Sequence, residues 1–206
     1  MTQNPTTNTE KSKVHFTEAT LKTEGKFLNY YTLKYKNKNG QDKLYEMVSH
    51  DDNIQTQEDL YNKKSQAVVL VVFNKNHEKV LLNKEFRMAT GTYIYGSVAG
   101  LIEENETFEQ AAKRELKEET GLELIKIIDI LPPSYTATGI SNEKTICIFC
   151  EAEGILDVSK EEADEDIEPV WFTKEEIKDL FKDQNAISMA ARTQMFCYMW
   201  AVGCFH

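Results

Sequence analysis

With 206 residues and 41% hydrophobic content, the chain is long enough to bury a sizeable core in one domain plus an extension. Its 34 acidic against 24 basic residues give a net charge of −10, which disfavours non-specific binding to nucleic acid or to an anionic membrane. No apolar run reaches the ~18 residues of a membrane-spanning helix, and residues 1–12 lack the apolar centre of a signal peptide.

Residues 1–12 (MTQNPTTNTEKS) read as a disordered tail, residues 13–62 as a small antiparallel sheet, and residues 63–206 as the main domain. In the first sheet, strands are expected at Val14–Thr20, Lys26–Tyr35 and Lys43–Ser49, with Asn39-Gly40 as a hairpin signal. The polar stretch Asp51–Ser65 links to the short apolar run Ala67–Phe73, which has the character of a central strand, and Lys79–Lys84 continues the sheet. Further strands are expected near Ile125–Leu131, Lys144–Glu151 and Val170–Phe172. Thr173 and Glu176 cap a helix running to about Phe181, and an apolar helix spans about Ala186–Val202. Cys147 and Cys150 are oddly spaced in a strand and so face opposite ways, which argues against a shared metal or a redox pair. Cys197 and Cys204 belong to the apolar last helix, so a reducing cytoplasm suits the chain. His15, His50, His77 and His206 form no ligand-spaced cluster.

The informative stretch lies between these elements. Thr107 and Gln110 have the spacing of a capping box, and Gly121 suits the left-handed position that ends a helix. Between them Phe108, Ala111, Ala112, Glu115, Glu119 and Leu122 recur at helical spacing, with Lys113, Lys117 and Thr120 assigned to the other side. A run of Glu and Lys is ordinarily a solvated helix face laced with ion pairs. Here Glu115, Glu118 and Glu119 lie along or beside a stripe whose first half is apolar. Carboxylates so close repel one another and need a counter-charge. With no His or Cys nearby, the expected counter-charge is a hard cation with oxygen ligands, Mg²⁺ or Mn²⁺. Such ions pair with substrate phosphates, which suggests attack of activated water on a phosphoanhydride.

Gly100-Leu-Ile-Glu-Glu-Asn-Glu106, followed by Arg114-Glu-Leu-Lys-Glu-Glu-Thr-Gly121-Leu122, fills every fixed position of the pattern Gly-x5-Glu-x7-Arg-Glu-U-x-Glu-Glu-x-Gly-U, with U bulky and aliphatic. The chain thereby resembles the Nudix hydrolases. That resemblance implies an α/β (α+β) Nudix fold: a mixed β-sheet between α-helices, preceded here by the small N-terminal sheet. It implies that Glu115, Glu118 and Glu119 bind the metal together with the Ala99 carbonyl, that Arg114 orients a carboxylate, and that Glu106 is auxiliary.

Outside this motif the chain is similar to ADP-ribose pyrophosphatases. Glu85-Phe-Arg87 resembles their Gln-Phe-Arg, Pro132-Pro133 lies near their proline-containing substrate loop, and Ser134–Glu143 resembles their Ser-Pro-Gly-x-Ser-x-Glu segment. Asp164-Glu165-Asp166-Ile167-Glu168 is similar to an acidic loop that supplies a late catalytic glutamate, and Gly25-Lys26-Phe27 and Tyr45-Glu46 to pairs that sandwich adenine. The resemblance implies that Arg87 contacts phosphate, Glu143 the distal ribose, Phe27 and Tyr45 the base, and Glu46 its edge. Glu165 is the first choice for general base or a further metal ligand, with Glu162 and Asp164 as alternatives. Tyr135 reads equally as a pocket wall or a turn residue. The chain departs from the subgroup at Gly96-Ser-Val-Ala-Gly100, where Glu-Leu-Pro-Ala-Gly is usual, at Glu85 in place of Gln, and at Ala163, where some relatives place a general base.

The expected function is Mg²⁺-dependent cleavage of a nucleoside diphosphate linked to another moiety, ADP-ribose first, giving AMP and ribose 5-phosphate. The alternatives are another substrate (a nucleotide sugar, a dinucleotide or a damaged nucleotide) or a sensor that binds a nucleotide without cleaving it. The resemblance further implies a homodimer through the N-terminal sheet, acting on a small molecule with neither nucleic acid nor membrane as partner.

Overall fold

The computed structural model describes residues 12–61, 64–159, 166–183 and 188–204, so the expected tail lies outside it except for Ser12. The chain divides into two compact units, one holding the residues up to Lys64 together with Tyr135–Lys144, the other Ser65–Ser134 and the residues from Thr145 onward.

The first unit is an antiparallel sheet in the order β1 (His15–Thr23), β2 (Asn29–Lys36), β3 (Asp42–Ser49). The Asn39-Gly40 hairpin forms through the loop 37–41, in which the Asn37 side-chain oxygen accepts from the amides of Asn39 and Gln41, both at 3.0 Å. Gly40 takes the left-handed conformation at φ 75°, where a side chain would be strained. Alternation along β2 buries Asn29, Tyr31 and Leu33, and Tyr31 and Leu33 join Met47 and Ile54 in a small core. The Tyr31 hydroxyl, buried with its ring, donates to the Asp51 carbonyl at 2.9 Å. A short helix α1 (Gln57–Tyr61) stands in the link that read as merely polar; Asp59 accepts from the Thr56 and Gln55 amides at its start.

The second unit is built on a mixed sheet whose main path runs β11 (Ile167–Thr173), β5 (Lys79–Arg87), β4 (Ala67–Phe73), β10 (Lys144–Glu153), β8 (Glu123–Ile130). Strands β6 (Thr92–Gly96) and β7 (Val98–Leu101) pair with β5 and β4, and the two-residue β9 (Ser134–Tyr135) lies at the unit boundary. Along this main path β4 and β10 pair in parallel and the other neighbours antiparallel, which is what a central strand buried on both faces permits. Val68, Leu70 and Val72 of β4 pack with Ala111, Ala112 and Leu116 of α2 (Phe108–Thr120). Val71 and Phe73 pack oppositely, against α3 (Lys174–Lys182) and α4 (Ala191–Ala201). Helices therefore cover both faces of the sheet. This mixed sheet between helices, with its antiparallel companion, is the architecture expected from the sequence.

Three expectations shift. Thr120, assigned to the outer side of α2, is buried, its hydroxyl donating to the Leu116 carbonyl at 2.5 Å and accepting from the Leu122 amide at 3.1 Å. Leu116, not counted in the inward stripe, is fully buried. The last helix starts at Ala191 rather than near Ala186, because Ser188–Ala190 instead bridges to β6: the Tyr95 amide donates to the Ser188 carbonyl and the Ala190 amide to the Tyr95 carbonyl. Residues 184–187 of that expectation lie outside the described residues.

Candidate active site

Helix α2 is fixed at both ends by its own sequence. The Thr107 hydroxyl accepts from the Gln110 amide while the Gln110 side chain accepts from the Thr107 amide, and Gly121 closes the helix at φ 75°. Its buried face carries Ala111, Ala112 and Leu116 and continues into Glu119. Helical spacing then places Glu115 beside that face and Glu118 at its edge, with side chains 13% and 47% exposed. The three acids so form a gradient from solvent to core, with Glu119 innermost and buried.

Arg114 holds two of them. Its Nη1 donates to Glu115 Oε1 at 2.7 Å and to Glu118 Oε2 at 3.2 Å. On its other flank, Nε and Nη2 fork onto Glu106 at 3.0 and 2.9 Å, and Nη2 also reaches the Leu101 carbonyl at 2.9 Å. Glu106, which also accepts from the Glu103 amide, is kept below the usual carboxylate range first by the guanidinium, while these partners raise the guanidinium's own pKa, Glu106 foremost. Arg114 thus ties the acids of the helix to the loop that precedes it. Gly100 completes the arrangement, because a Cβ there would overlap the Glu115 carboxylate. Ala99 sits beside it on β7, in register with Val69 of β4.

A residue that sequence reasoning missed is Asn83 of β5. Its Nδ2 donates to Glu119 Oε2, and its own Oδ1 is buried with no hydrogen-bond partner among the described residues. The available signal was a single amide closing the apolar run Val80-Leu-Leu-Asn83.

These donors fit a hard cation, for they are carboxylate oxygens with no thiol or imidazole among them, beside a cradle that any side chain at position 100 would fill. Among the described residues, however, no three His, Cys, Asp or Glu side chains form a ready-made cation cage, the guanidinium of Arg114 lying on Glu115 and Glu118 instead. Glu162, Asp164 and Glu165 lie outside the described residues. Nearby, Arg87 pairs with Glu85 at 2.8 Å, so the acid that replaces the usual Gln engages the arginine expected at phosphate.

The remaining site residues belong to the first unit. The Tyr45 hydroxyl donates to the Gly139 carbonyl at 2.5 Å, and its ring lines a cavity of about 280 Å³ with Tyr61 and Tyr135. Glu46 follows it in β3 and takes the opposite face, where its hydrogen bond raises the pKa of Tyr30. Phe27 is 70% exposed with the Lys26 ammonium 4.8 Å from its ring centre. Glu143 accepts from the Thr136 hydroxyl at 2.5 Å and faces His50 at 3.7 Å. Tyr135 is therefore a wall of the first unit's cavity, and Tyr45 and Glu46 do not share a face.

The four cysteines are all free, and burial pushes the Cys150 and Cys197 thiols up to about 12, so neither is poised as a thiolate. No helix among the described residues is long and apolar enough to cross a membrane.

Comparison with known proteins places this geometry in context. A family model described as NUDIX domain matches residues 63–192. A mouse (Mus musculus) ADP-sugar pyrophosphatase is 32% identical over 151 residues, covering 72% of this chain and 66% of the mouse protein. An uncharacterised Nudix hydrolase of Schizosaccharomyces pombe is 26% identical over 139 residues, covering 68% of this chain and 63% of that one. The alignments thus span just under two thirds of these relatives' own length. An NAD-capped RNA hydrolase of Haemophilus influenzae is 39% identical over a shorter stretch of 56 residues, 27% of this chain and 21% of that protein. A crystal structure of an ADP compounds hydrolase superposes with a TM-score of 0.68 over 94% of this chain and 98% of the other, at 19% identity.

Proposed function

The chain belongs to the Nudix family, and from that premise we propose that it is a Mg²⁺-dependent hydrolase of nucleoside diphosphates linked to another moiety, with ADP-ribose the leading substrate. The observation that carries this reading is the set Glu115, Glu118 and Glu119, an acid gradient on one helix face secured by Arg114 and by the absence of a side chain at Gly100. The reaction adds water across the pyrophosphate, giving AMP and ribose 5-phosphate. When bound, the cation supplies charge stabilisation on the transferring phosphoryl group and a lowered pKa for the attacking water. The chain's own residues do the rest. Glu115, Glu118 and Glu119, with the Ala99 carbonyl, form the donor set. Arg114 orients Glu115 and Glu118, Asn83 orients Glu119, and Glu165 accepts the proton released by the attacking water, with Glu162 and Asp164 as alternatives. Arg87 is assigned to a phosphate, for which it must leave Glu85.

In the first unit, Tyr45 and Phe27 are assigned to the base, Glu46 to its edge and Glu143 to the ribose. The similarity to a mouse ADP-sugar pyrophosphatase supports an ADP-linked substrate. The relatives that act on NAD-capped RNA favour a second reading, an ADP-containing dinucleotide such as NAD. We also propose a homodimer through the β1–β3 sheet, whose strand β1 has no strand paired on its outer edge among the described residues, and residence in the reducing cytoplasm, which the free cysteines support.

The test is Mg²⁺-dependent release of AMP from ADP-ribose by wild type and Glu119→Gln, run beside ADP-glucose and NAD. Turnover of ADP-ribose that collapses in the variant is the expected result. Preferential turnover of NAD would select the second reading, and saturable binding without turnover of any diphosphate would sink the hydrolase assignment.

A further inference from the structure

The second unit contains a cavity of about 720 Å³ on the face of its sheet opposite the acids of α2. Val69, Val71 and Phe149 form its floor, and Met195 and Met199, both exposed on α4, its roof. That volume suits a ligand of ordinary organic size, and methionine walls adapt to flexible apolar shapes.

Charge gives the cavity a direction. Strand register sets Cys147 beside Val69 and Glu151 beside Phe73, so Thr145 and the Arg192 that donates to it at 2.6 Å mark one end. Ser97 and Thr193, whose hydroxyls meet at 3.1 Å, line the cavity together with Arg192. At the other end Lys174 sits 5.4 Å from the centre of the Trp200 ring. The strand rises roughly 13 Å between positions 69 and 73, at about 3.3 Å per residue. Among the described residues the Arg192 guanidinium has Thr145 as its side-chain partner and forms no ion pair with a carboxylate. Among the described residues the carboxylate that lines the cavity is Asp129, which accepts from the Ile130 amide at 2.8 Å. Between these ends Val71, Phe149, Met195 and Met199 make the walls mostly apolar, with Asp129, in register with Phe149, at the side, a lining that suits an apolar chain better than a row of phosphates.

We propose that this cavity binds a free single-chain apolar carboxylate, with its headgroup at Arg192 and its chain running between Val71 and Met199 toward Trp200. The site is separate from the acids of α2 and independent of the reaction they perform.

The test is calorimetric titration of decanoate and of decanol into the full chain. Wild type should take up one equivalent of decanoate saturably. Arg192→Met, a change at an exposed helix position, should weaken decanoate at least tenfold and leave decanol unchanged, while Met199→Trp, which narrows the roof, should weaken both. Failure of wild type to bind decanoate, or equal affinity in Arg192→Met, overturns the proposal. So does a dimer, seen by sedimentation in the absence of ligand and dissolved by Met195→Glu, that excludes decanoate, for it would assign this face to a second copy of the chain.

Discussion

Replacing Arg114 by Met keeps an unbranched stem and removes the fork. Lost with it are the paired bonds to Glu106, the two from Nη1 to Glu115 and Glu118, and the bond to the Leu101 carbonyl. Charge-assisted bonds are each worth about 1.5–3 kcal/mol when dry, but the guanidinium is a quarter exposed, so solvent screens much of this. What remains is the repulsion of clustered carboxylates, two of them with side chains 13% exposed, and the expected loss is roughly 2–4 kcal/mol. For a chain of this size that lowers Tm by roughly 5–15 °C. The deficit should depend on pH. Arg114 holds the pKa of Glu106 below its ordinary value of 4.5, so this stabilisation is complete above that value and is lost as pH falls through the lowered one. The gap between wild type and variant should therefore be widest near neutrality and close in acid. It should also respond to Mg²⁺. If the cation and the guanidinium compete for Glu115 and Glu118, saturating Mg²⁺ must raise the Tm of Arg114→Met more than that of wild type. Arg114→Lys retains a charge without the fork and should fall between them. Scanning calorimetry from about pH 2.5 to 8, with Mg²⁺ and with chelator, reads all of this. An unchanged Tm at neutral pH, or a smaller Mg²⁺ response in the variant, would refute the reasoning.

Gly100→Ala should lower turnover roughly 10–100-fold and raise the Mg²⁺ requirement with little change in Tm, because the added Cβ displaces the Glu115 carboxylate rather than core; initial rates against Mg²⁺ concentration check it. Gly121→Ala should instead act on stability, by roughly 2–4 kcal/mol in urea melts, since φ 75° strains any side chain and its Cβ would stand 2.7 Å from the Asp157 carbonyl oxygen. Thr173→Ala should cost about 1 kcal/mol by opening the capping box of α3. The Thr173 backbone amide also lowers the pKa of Glu176, so Glu176→Gln should lose stability relative to wild type above pH 4.5 and converge with it below, seen in melts at pH 3 and 7.

What was legible in the sequence was what local chemistry decides. The ends of α2 follow from Thr107, Gln110 and Gly121, which act within a turn of themselves, and the opposite placement of Cys147 and Cys150 follows from strand alternation. Thr120 was misplaced because a hydroxyl reads as outward, whereas this one satisfies itself on the Leu116 carbonyl and can be buried. Strands β6 and β7 carry little pattern of their own: β6 exists by folding back on β5, the strand just before it, and β7 because β4 offers it a partner some way back along the chain. Asn83 was illegible for the same reason, since its meaning comes from Glu119, a residue on another element. The divergence of Tyr45 and Glu46 was readable from the period of a strand, but a motif resemblance treats neighbours in sequence as neighbours in a site.

The balance of charge around α2 explains why an intact motif need not produce a ready-made cage. Glu106, Glu115 and Glu118 meet Arg114, and with Glu119 on the same helix the formal balance of these five groups is −3 when all four acids are ionised. Lys117 of the same helix is engaged elsewhere: it donates to the Gly121 carbonyl at 2.8 Å and pairs with Glu123 at 2.7 Å. Arg114 can satisfy Glu106 with one edge of its fork and share the other between Glu115 and Glu118, but a planar group cannot surround three carboxylates. One of the groups Glu119 meets is the amide of Asn83, a donor that orients a carboxylate and carries no charge itself. A dication supplies what the side chains here do not, compact charge with several coordination directions. The fork's hold on Glu106 does not depend on Glu115 and Glu118, so a cation can take those two while Arg114 stays anchored to the loop. On this view Arg114 keeps the acids in place until the counter-charge arrives, and the site's readiness lies in the backbone of α2 and β7 rather than in the resting positions of its carboxylates.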